Sequence, residues 1–177
     1  MLHPDYRFCP RCAAEMTVAE VAGRVRKACP ACGFTHWNNP APVVAALVQV
    51  GDLILLARNA AWPPKTFALI TGFLEAGETP EQGIAREVQE ETSLEVEQAS
   101  LIGVYEFTRK NELIIAYHVI ASGTVSLSEE LAEYRMVAPE RLRPWRAGTG
   151  LAVADWMRAR NLPFEFVDLP IRPQTGS

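Results

Sequence analysis

The sequence predicts an α+β domain preceded by a small cysteine-rich segment, and three observations lead to this prediction. All 4 cysteines of the 177-residue chain lie before residue 33. After them, β-branched runs and helix-start signals follow each other along the chain, as expected of strands and helices that share one core. The composition is 49% hydrophobic and 21% charged, which is ordinary for a folded chain and excludes wholesale disorder.

The cysteine pattern predicts a zinc ribbon over residues 1–38. It reads C-x2-C-x16-C-x2-C and consists of Cys9, Cys12, Cys29 and Cys32. Two thiolates three positions apart on a tight turn can both reach one tetrahedral Zn²⁺, and two such turns complete the ligand set. Because four cysteines leave no open position, the zinc is predicted to be structural. The alternative of two redox pairs lacks the βαβ pattern that would support it.

A small hairpin is expected between the cysteine pairs, with strands at Met16–Val18 and Arg24–Lys27. The main domain then begins with a buried strand rich in valine from Val43 to Val50. A tight turn at Gly51 leads into a second strand, Leu53–Ala57. A short strand, Phe67–Ile70, follows a proline loop and runs into Gly72.

The strongest local signal is a helix start at Thr79. Thr79 can cap the helix, Pro80 fits the first helical position, and Gln82 completes a capping box. The helix is expected to end near Thr92. Further strands are predicted at 94–107, 113–121 and 134–138, a second helix at 148–160, and a domain spanning 39–165 with a C-terminal tail at 166–177.

The predicted helix is unusually acidic. From Glu75 to Glu91 there are six acids and one base, so this segment carries −5 whereas the whole chain carries −4. At helical spacing, Glu87 and Glu91 fall beside the apolar seam that Ile84 and Val88 define. Burying unpaired carboxylates is costly, and a divalent cation with oxygen ligands would remove that cost. The alternative is a solvated helix that carries an Arg86–Glu90 ion pair.

The segment from Gly72 to Leu94 resembles the Nudix box, GX5EX7REUXEEXGU, in which U is aliphatic. Every position matches except Ser93, which stands where the family has glycine. The resemblance implies an α/β/α sandwich around a mixed sheet. It also implies hydrolysis of a nucleoside diphosphate linked to another moiety, with Mg²⁺ or Mn²⁺ as cofactor. The serine removes no ligand, because this glycine is expected to be a left-handed helix cap.

The resemblance also assigns roles within the box. The expected metal ligands are three carboxylates and one backbone carbonyl, namely Glu87, Glu90, Glu91 and Thr71. Glu90 or Glu91 could also take the proton from the attacking water, and the supporting contacts are expected from Gly72, Glu78 and Arg86. In some relatives a later glutamate is the base. Here the candidates are Glu112, Glu129, Glu130 and Glu133, of which Glu133 best fits the downstream position.

Substrate contacts are less strongly indicated. Arg58 and Arg109 are candidates for phosphate contacts, and Phe73 is a candidate for stacking on a base. Zinc ribbons precede the Nudix fold in NADH pyrophosphatases and in a related group that acts on ADP-ribose or FAD. The NADH type carries an SQPWPFPxS-like signature after the box, and residues 95–125 contain neither proline nor tryptophan. The proline that marks many ADP-ribose enzymes downstream of the box is missing as well. The compact ribbon, which runs straight into Asn39-Pro40-x-Pro42, looks most like the second group.

The leading hypothesis is a pyrophosphohydrolase for ADP-ribose, FAD or NADH, with a small nucleotide as its substrate. Two alternatives stay open: removal of a nucleotide cap from RNA, and a non-catalytic domain that senses nucleotides. The net charge of −4 argues against a general nucleic-acid partner, although five basic residues make the ribbon locally basic. We expect a cytoplasmic protein without a membrane segment, because no secretory signal is visible. Homodimerisation through the ribbon is left open.

Overall fold

The computed structural model describes residues 6–168, and the predicted tail from 169 onward lies outside the described residues. Backbone contacts divide the chain into two compact units, with the division between Pro40 and Ala41. Each unit has its own core, so the two are described separately. The predicted boundaries near residues 38 and 165 stay predictions.

The N-terminal unit is a three-stranded antiparallel sheet whose strands follow the chain order. These are β1 (Thr17–Val21), β2 (Arg24–Ala28) and β3 (Thr35–His36). The β1–β2 hairpin confirms the one expected between the cysteine pairs. The two-residue strand β3 was not predicted, because so short a strand has no periodicity of its own and exists only through its pairing with Lys27 and Ala28.

The C-terminal unit contains a six-stranded mixed sheet. Its strands are β4 (Ala41–Val50), β5 (Leu53–Asn59), β6 (Ile70–Phe73), β7 (Glu95–Phe107), β8 (Glu112–Ser122) and β9 (Leu131–Val137). The order is β7-β8-β4-β5-β9, and β6 pairs with the first half of β4. Strands β4 and β8 are parallel and the other pairs are antiparallel. Short 3₁₀ turns follow at Thr108–Lys110 and Pro139–Arg141.

One helix packs on each face of this sheet, which confirms the expected α/β/α sandwich. Helix α1 is Pro80–Thr92 and helix α2 is Thr149–Arg158. Alternate residues of the central strand β4 belong to opposite cores. Val44, Ala46 and Val48 pack in the core that includes Ile84 of α1, whereas Leu47 packs with Trp156 of α2. Because β4 is buried on both faces, its sequence is a nearly continuous apolar run.

Two strand boundaries differ from the sequence prediction. The strand expected at Phe67–Ile70 begins only at Ile70, where pairing with β4 starts, and Ala68 forms a single bridge to Ala57. The strand expected from residue 134 starts three residues earlier, because Leu131 already pairs with Asn59. Among the described residues, neither helix has the length and apolar character needed to cross a bilayer.

Helix α1 has the caps that its sequence predicts. The Thr79 backbone N–H donates to Gln82 Oε1 at 2.8 Å, and the Gln82 N–H donates to Thr79 Oγ1 at 3.3 Å. At the other end, Ser93 is left-handed with φ of 59°, and its N–H donates to the carbonyl of Gln89. A serine in this conformation is strained, since its Cβ crowds the backbone.

We predict that Ser93→Gly stabilises the protein by up to about 1 kcal/mol, because glycine adopts this left-handed conformation without the Cβ penalty. The hydroxyl lost is exposed and donates one 3.3 Å hydrogen bond to the Ser126 carbonyl, which offsets only part of the gain. Urea unfolding measures the change. Ser93→Ala is the control that keeps the strain. A stability equal to or below that of the wild type would contradict the cap assignment.

Candidate active site and cysteine cluster

Arg86 joins the loop after β6 to helix α1. Its Nε donates to Glu78 Oε2 at 3.1 Å, and its Nη2 donates to Glu78 Oε1 at 2.7 Å and to the Phe73 carbonyl at 3.1 Å. Its Nη1 donates to Glu87 Oε1 at 2.7 Å and to Glu90 Oε2 at 3.1 Å. One guanidinium therefore holds three carboxylates and a loop carbonyl in a single network.

The network shifts the pKa values of Glu78 and Arg86. Hydrogen bonds from Arg86, and then from the Glu75 backbone N–H, lower the pKa of Glu78. The hydrogen-bonded carboxylates of Glu78 and Glu87 raise the pKa of Arg86. Glu78 in the loop and Arg86 in the helix consequently stay ionised at neutral pH. The Arg86–Glu90 pair of the solvated-helix alternative is present, but it is the most exposed part of a larger network.

Gly72 is explained by a close approach of Glu87. A Cβ built on Gly72 would lie 1.8 Å from the Glu87 carboxyl carbon and 2.0 Å from Oε1. No side chain fits there while Glu87 keeps its position. The glycine of the box is therefore required by the volume that the carboxylate occupies against strand β6.

Glu91 is the carboxylate that the network does not reach. Its side chain is half-buried, and no hydrogen bond or ion pair joins the carboxylate to any described residue. Burial raises the pKa of Glu91 to about 7, and the neighbouring charges of Glu87, Glu130 and Glu90 add to this effect. A carboxylate in this position is costly for the folded protein unless a cation shares the site.

A cleft opens beside Glu91. It is lined by Ala57, Asn59, Trp62, Leu69, Thr71, Glu91, Glu130 and Leu131. Thr71 and Glu91, two of the predicted metal ligands, therefore border the same space, and Glu130 faces it from the loop before β9. The donors around this space are oxygen atoms, which hard divalent cations such as Mg²⁺ and Mn²⁺ prefer. Thr71, Glu91 and Glu130 therefore offer oxygen ligands to a divalent cation in this cleft. The other two predicted ligands, Glu87 and Glu90, do not line it and accept hydrogen bonds from Arg86.

Other residues proposed from the sequence do not line the cleft beside Glu91. Glu133 pairs with Arg58 at 3.5 Å and with Arg135 at 3.8 Å. The Arg58 Nη1 donates to the carbonyl of Trp62, so this guanidinium is engaged within the fold. The guanidinium of Arg109 lies over the Phe107 ring, 5.7 Å from its centroid.

Phe73 and Arg109, the other two candidates for substrate contacts, lie outside the lining of the cleft. Phe73 is 60% exposed, although its carbonyl belongs to the Arg86 network. Neither Phe73 nor Arg109 lines the cleft beside Glu91. Two residues that do line it, Asn59 and Trp62, were not singled out by the sequence analysis. The signal that could have found them is position, since the Trp62 loop directly follows a strand of the central sheet.

The four cysteines come together in the N-terminal unit. Their Sγ atoms all lie within 4.8 Å of one another, and two of the separations, Cys9–Cys32 and Cys12–Cys29, are 3.6 and 3.5 Å. In a tetrahedral zinc site with four thiolates the sulfur atoms are about 3.8 Å apart, as follows from a Zn–S distance of about 2.3 Å. The cluster has the size and the ligand chemistry of a zinc ribbon.

The two cysteine turns are built alike. The Cys9 N–H donates to the Ala14 carbonyl, and the Cys29 N–H donates to the Phe34 carbonyl, each at 2.8 Å. In both turns the residue after the second cysteine is left-handed: Ala13 has φ of 61° and Gly33 has φ of 74°. This matched geometry directs both cysteines of each turn to the same point.

A mixed sheet between two helices, with a glycine loop that enters an acidic helix, defines the class of this domain. The chain belongs to the Nudix family, since residues 39–157 match the NUDIX domain. This confirms the resemblance that the box suggested. A solved NUDIX hydrolase from Nitrosomonas europaea has the same fold, with a TM-score of 0.73 and 24% identity over 92% of this chain and 99% of that one.

Curated relatives are similar over much of this chain. It is 32% identical over 148 residues to the NAD-capped RNA hydrolase NudC of Pseudomonas aeruginosa. The matched segment is 82% of this chain and 52% of that protein. It is also 33% identical over 134 residues to the NAD-capped RNA hydrolase NudC of Mycobacterium tuberculosis, and this match is 73% of this chain and 41% of that protein. The chain thus spans about half the length of the curated relatives it matches.

We predict that Gly72→Ala destabilises the protein by about 1–3 kcal/mol, which is the usual cost of forcing an extra carbon into a packed site. The cause is the overlap with the Glu87 carboxyl group. The control is the same substitution in a Glu87→Ala background, where the shortened side chain leaves room for the methyl group. Urea unfolding of the four proteins measures the coupling. Equal costs in both backgrounds would contradict this explanation of Gly72.

Proposed function

We propose that this chain is a Mg²⁺- or Mn²⁺-dependent pyrophosphohydrolase. Its proposed substrate is a nucleoside diphosphate linked to another moiety, of the ADP-ribose, FAD or NADH class. The observation that carries the proposal is Glu91, a half-buried carboxylate next to other carboxylates and without a cationic partner among the described residues. Membership of the Nudix family supports the reaction type.

The proposed ligands of the divalent cation are Glu87, Glu90, Glu91 and the Thr71 carbonyl. Glu87 and Glu90 each accept a hydrogen bond from Arg86, which orients them from one side. Bound Mg²⁺ would offset the charge that develops on the diphosphate and lower the pKa of a coordinated water. Arg86 and Glu78 are proposed to hold the loop and α1 at the spacing that this ligand set requires.

In the proposed reaction, water attacks a phosphorus atom of the diphosphate, and a carboxylate accepts its proton. The bond from that phosphorus to the bridging oxygen breaks, and the other phosphate leaves with the bridging oxygen. Glu90 and Glu91 remain candidates for that base. Of the downstream acids, we favour Glu130 over the predicted Glu133, because Glu130 lines the cleft with Glu91. The Glu133 carboxylate is instead paired with Arg58 and Arg135.

A second candidate function is removal of a nucleotide cap from RNA. It is favoured by the identity of 32–33% to NAD-capped RNA hydrolases. Both candidates use the same chemistry, since an NAD cap contains the diphosphate of NAD. The net charge of −4 favours a small nucleotide as substrate. The expectation that nucleic acid is not the partner stays a prediction, as does the cytoplasmic location, and homodimerisation stays open.

We further propose that the cysteine cluster holds one structural Zn²⁺. The four thiols supply a complete tetrahedral set, and a unit of this size gains most of its folding free energy from such an ion. His36 is not a proposed ligand, because its ring stacks on Tyr6 with centroids 4.3 Å apart.

The proposal is tested with a panel of ADP-ribose, FAD, NADH and NAD-capped RNA in Mg²⁺ or Mn²⁺, with products identified by mass spectrometry. We expect cleavage within the diphosphate. Glu91→Gln is expected to lower kcat by about 100-fold or more, because it removes a ligand charge or the base. Glu97→Gln, an exposed acid on β7, is the matched control and keeps the wild-type rate. Unchanged turnover in Glu91→Gln would refute the site assignment.

The same assay separates the two downstream acids. Glu130→Gln is expected to lower kcat by about 100-fold if Glu130 is the base, whereas Glu133→Gln retains most of the rate. The reverse result would restore Glu133 as the base.

For the ribbon, we predict about one Zn²⁺ per chain by elemental analysis, and loss of that zinc in Cys12→Ala. His36→Ala is the matched control and is expected to keep its zinc, since its ring contacts Tyr6 and not the cysteine cluster. Full zinc content in Cys12→Ala would contradict a site built from four thiolates.

A further inference from the structure

The cleft beside Glu91 has an aromatic wall. Trp62 lines it and is 37% exposed, whereas the tryptophans Trp145 and Trp156 of the same unit are buried. Trp62 therefore presents part of a large apolar ring to the cleft. No ring or cation of the described residues stacks on Trp62, whereas arginines lie over the rings of Trp37 and Trp156.

The loop that carries Trp62 is held in place by hydrogen bonds. Asn59 Oδ1 accepts from the Ala61 N–H at 2.9 Å, and the Asn59 carbonyl accepts from the Trp62 N–H at 3.0 Å. The Ala60 N–H donates to the Glu130 carbonyl at 2.8 Å. The Trp62 loop and the Glu130 loop, which both line the cleft, are therefore joined to each other.

The ion pair of Arg58 and Glu133 contacts the Trp62 loop through the Arg58 guanidinium. The Arg58 side chain is only 15% exposed, and its Nη2 lies 3.5 Å from a Glu133 carboxylate oxygen. Its Nη1 donates to the Trp62 carbonyl at 3.3 Å. Arg58, paired with Glu133, therefore helps to fix the backbone of Trp62. An ordered aromatic wall costs less entropy on binding than a mobile one.

We propose that Trp62 is the stacking platform for the planar heteroaromatic ring of the substrate. The inference rests on the proposed function, because it assumes that the diphosphate lies at the acids on the other side of the cleft. Trp62 lines the same cleft as the side chains of Glu91 and Glu130. Leu69 and Leu131 add apolar surface around it.

The ring could be a purine or a nicotinamide, and both share a flat π surface attached through ribose to phosphate. A ring held only by stacking is recognised by its shape more than by its hydrogen bonds. The site is therefore expected to tolerate several bases and to require an aromatic ring. Its contribution belongs to binding, since Trp62 is not among the groups proposed to act on the phosphorus.

The first test is binding, measured by quenching of tryptophan fluorescence in the zinc-loaded protein with Mg²⁺. AMP and nicotinamide mononucleotide are the two ring probes, and ribose 5-phosphate is the probe without a ring. We expect quenching by at least one ring probe, loss of most of that quenching in Trp62→Phe, and none by ribose 5-phosphate. Trp37→Phe, which removes a half-exposed tryptophan of the ribbon, is the matched control and keeps the quenching.

The second test is kinetic and uses the substrate that the panel identifies. Trp62→Ala is expected to raise KM about tenfold with kcat within about threefold of wild type, and Trp62→Phe to restore most of the affinity. Thermal unfolding of each variant checks that it is folded. An unchanged KM in Trp62→Ala, or equal quenching in Trp62→Phe and wild type, would overturn the proposal.

The two proposals fail separately. If no diphosphate compound is cleaved but the ring probes still quench Trp62, the proposed reaction is wrong and the ring site stands. If cleavage occurs with a KM that is insensitive to Trp62, the reaction stands and the ring site is wrong.

Discussion

The repulsion among the carboxylates of helix α1 is the constraint on which the rest of the site depends. Arg86 balances part of this charge through Glu78, Glu87 and Glu90. It does not reach Glu91, whose nearest charges are other carboxylates. A helix that served only for packing would not retain this arrangement, because each half-buried carboxylate costs stability. The proposed divalent cation would offset this repulsion.

The sheet contributes Thr71 and Gly72 of β6 to the candidate site. Pairing of β6 with β4 places Thr71 opposite Ala45 and Gly72 opposite Val44, next to the helix that carries Glu87. The glycine is needed because a carboxylate fills the volume of its missing side chain. The cleft then forms where β5, β6 and the loop before β9 meet α1, so it combines charged and apolar surface.

The positions of Glu130 and Glu133 relative to Glu91 depend on the folded chain. Glu133 was favoured by its position in the chain, but it lies opposite Arg58 on the neighbouring strand and pairs with it. Glu130 was one of four candidates, and only the folded chain brings it next to Glu91. Trp62 was not singled out from the sequence, and its relation to the acids became visible only with the cleft.

Sequence alone determined the features that depend on near neighbours. The α1 capping box, its end at residue 92 and the spacing of its glutamates involve residues three or four apart, and each cysteine turn is equally local. The tertiary structure decided which distant groups meet: Glu91 with Glu130, Ala60 with Glu130, and Arg58 with Glu133. These contacts follow from strand register and loop position, which the packing of the whole domain sets and no short segment encodes.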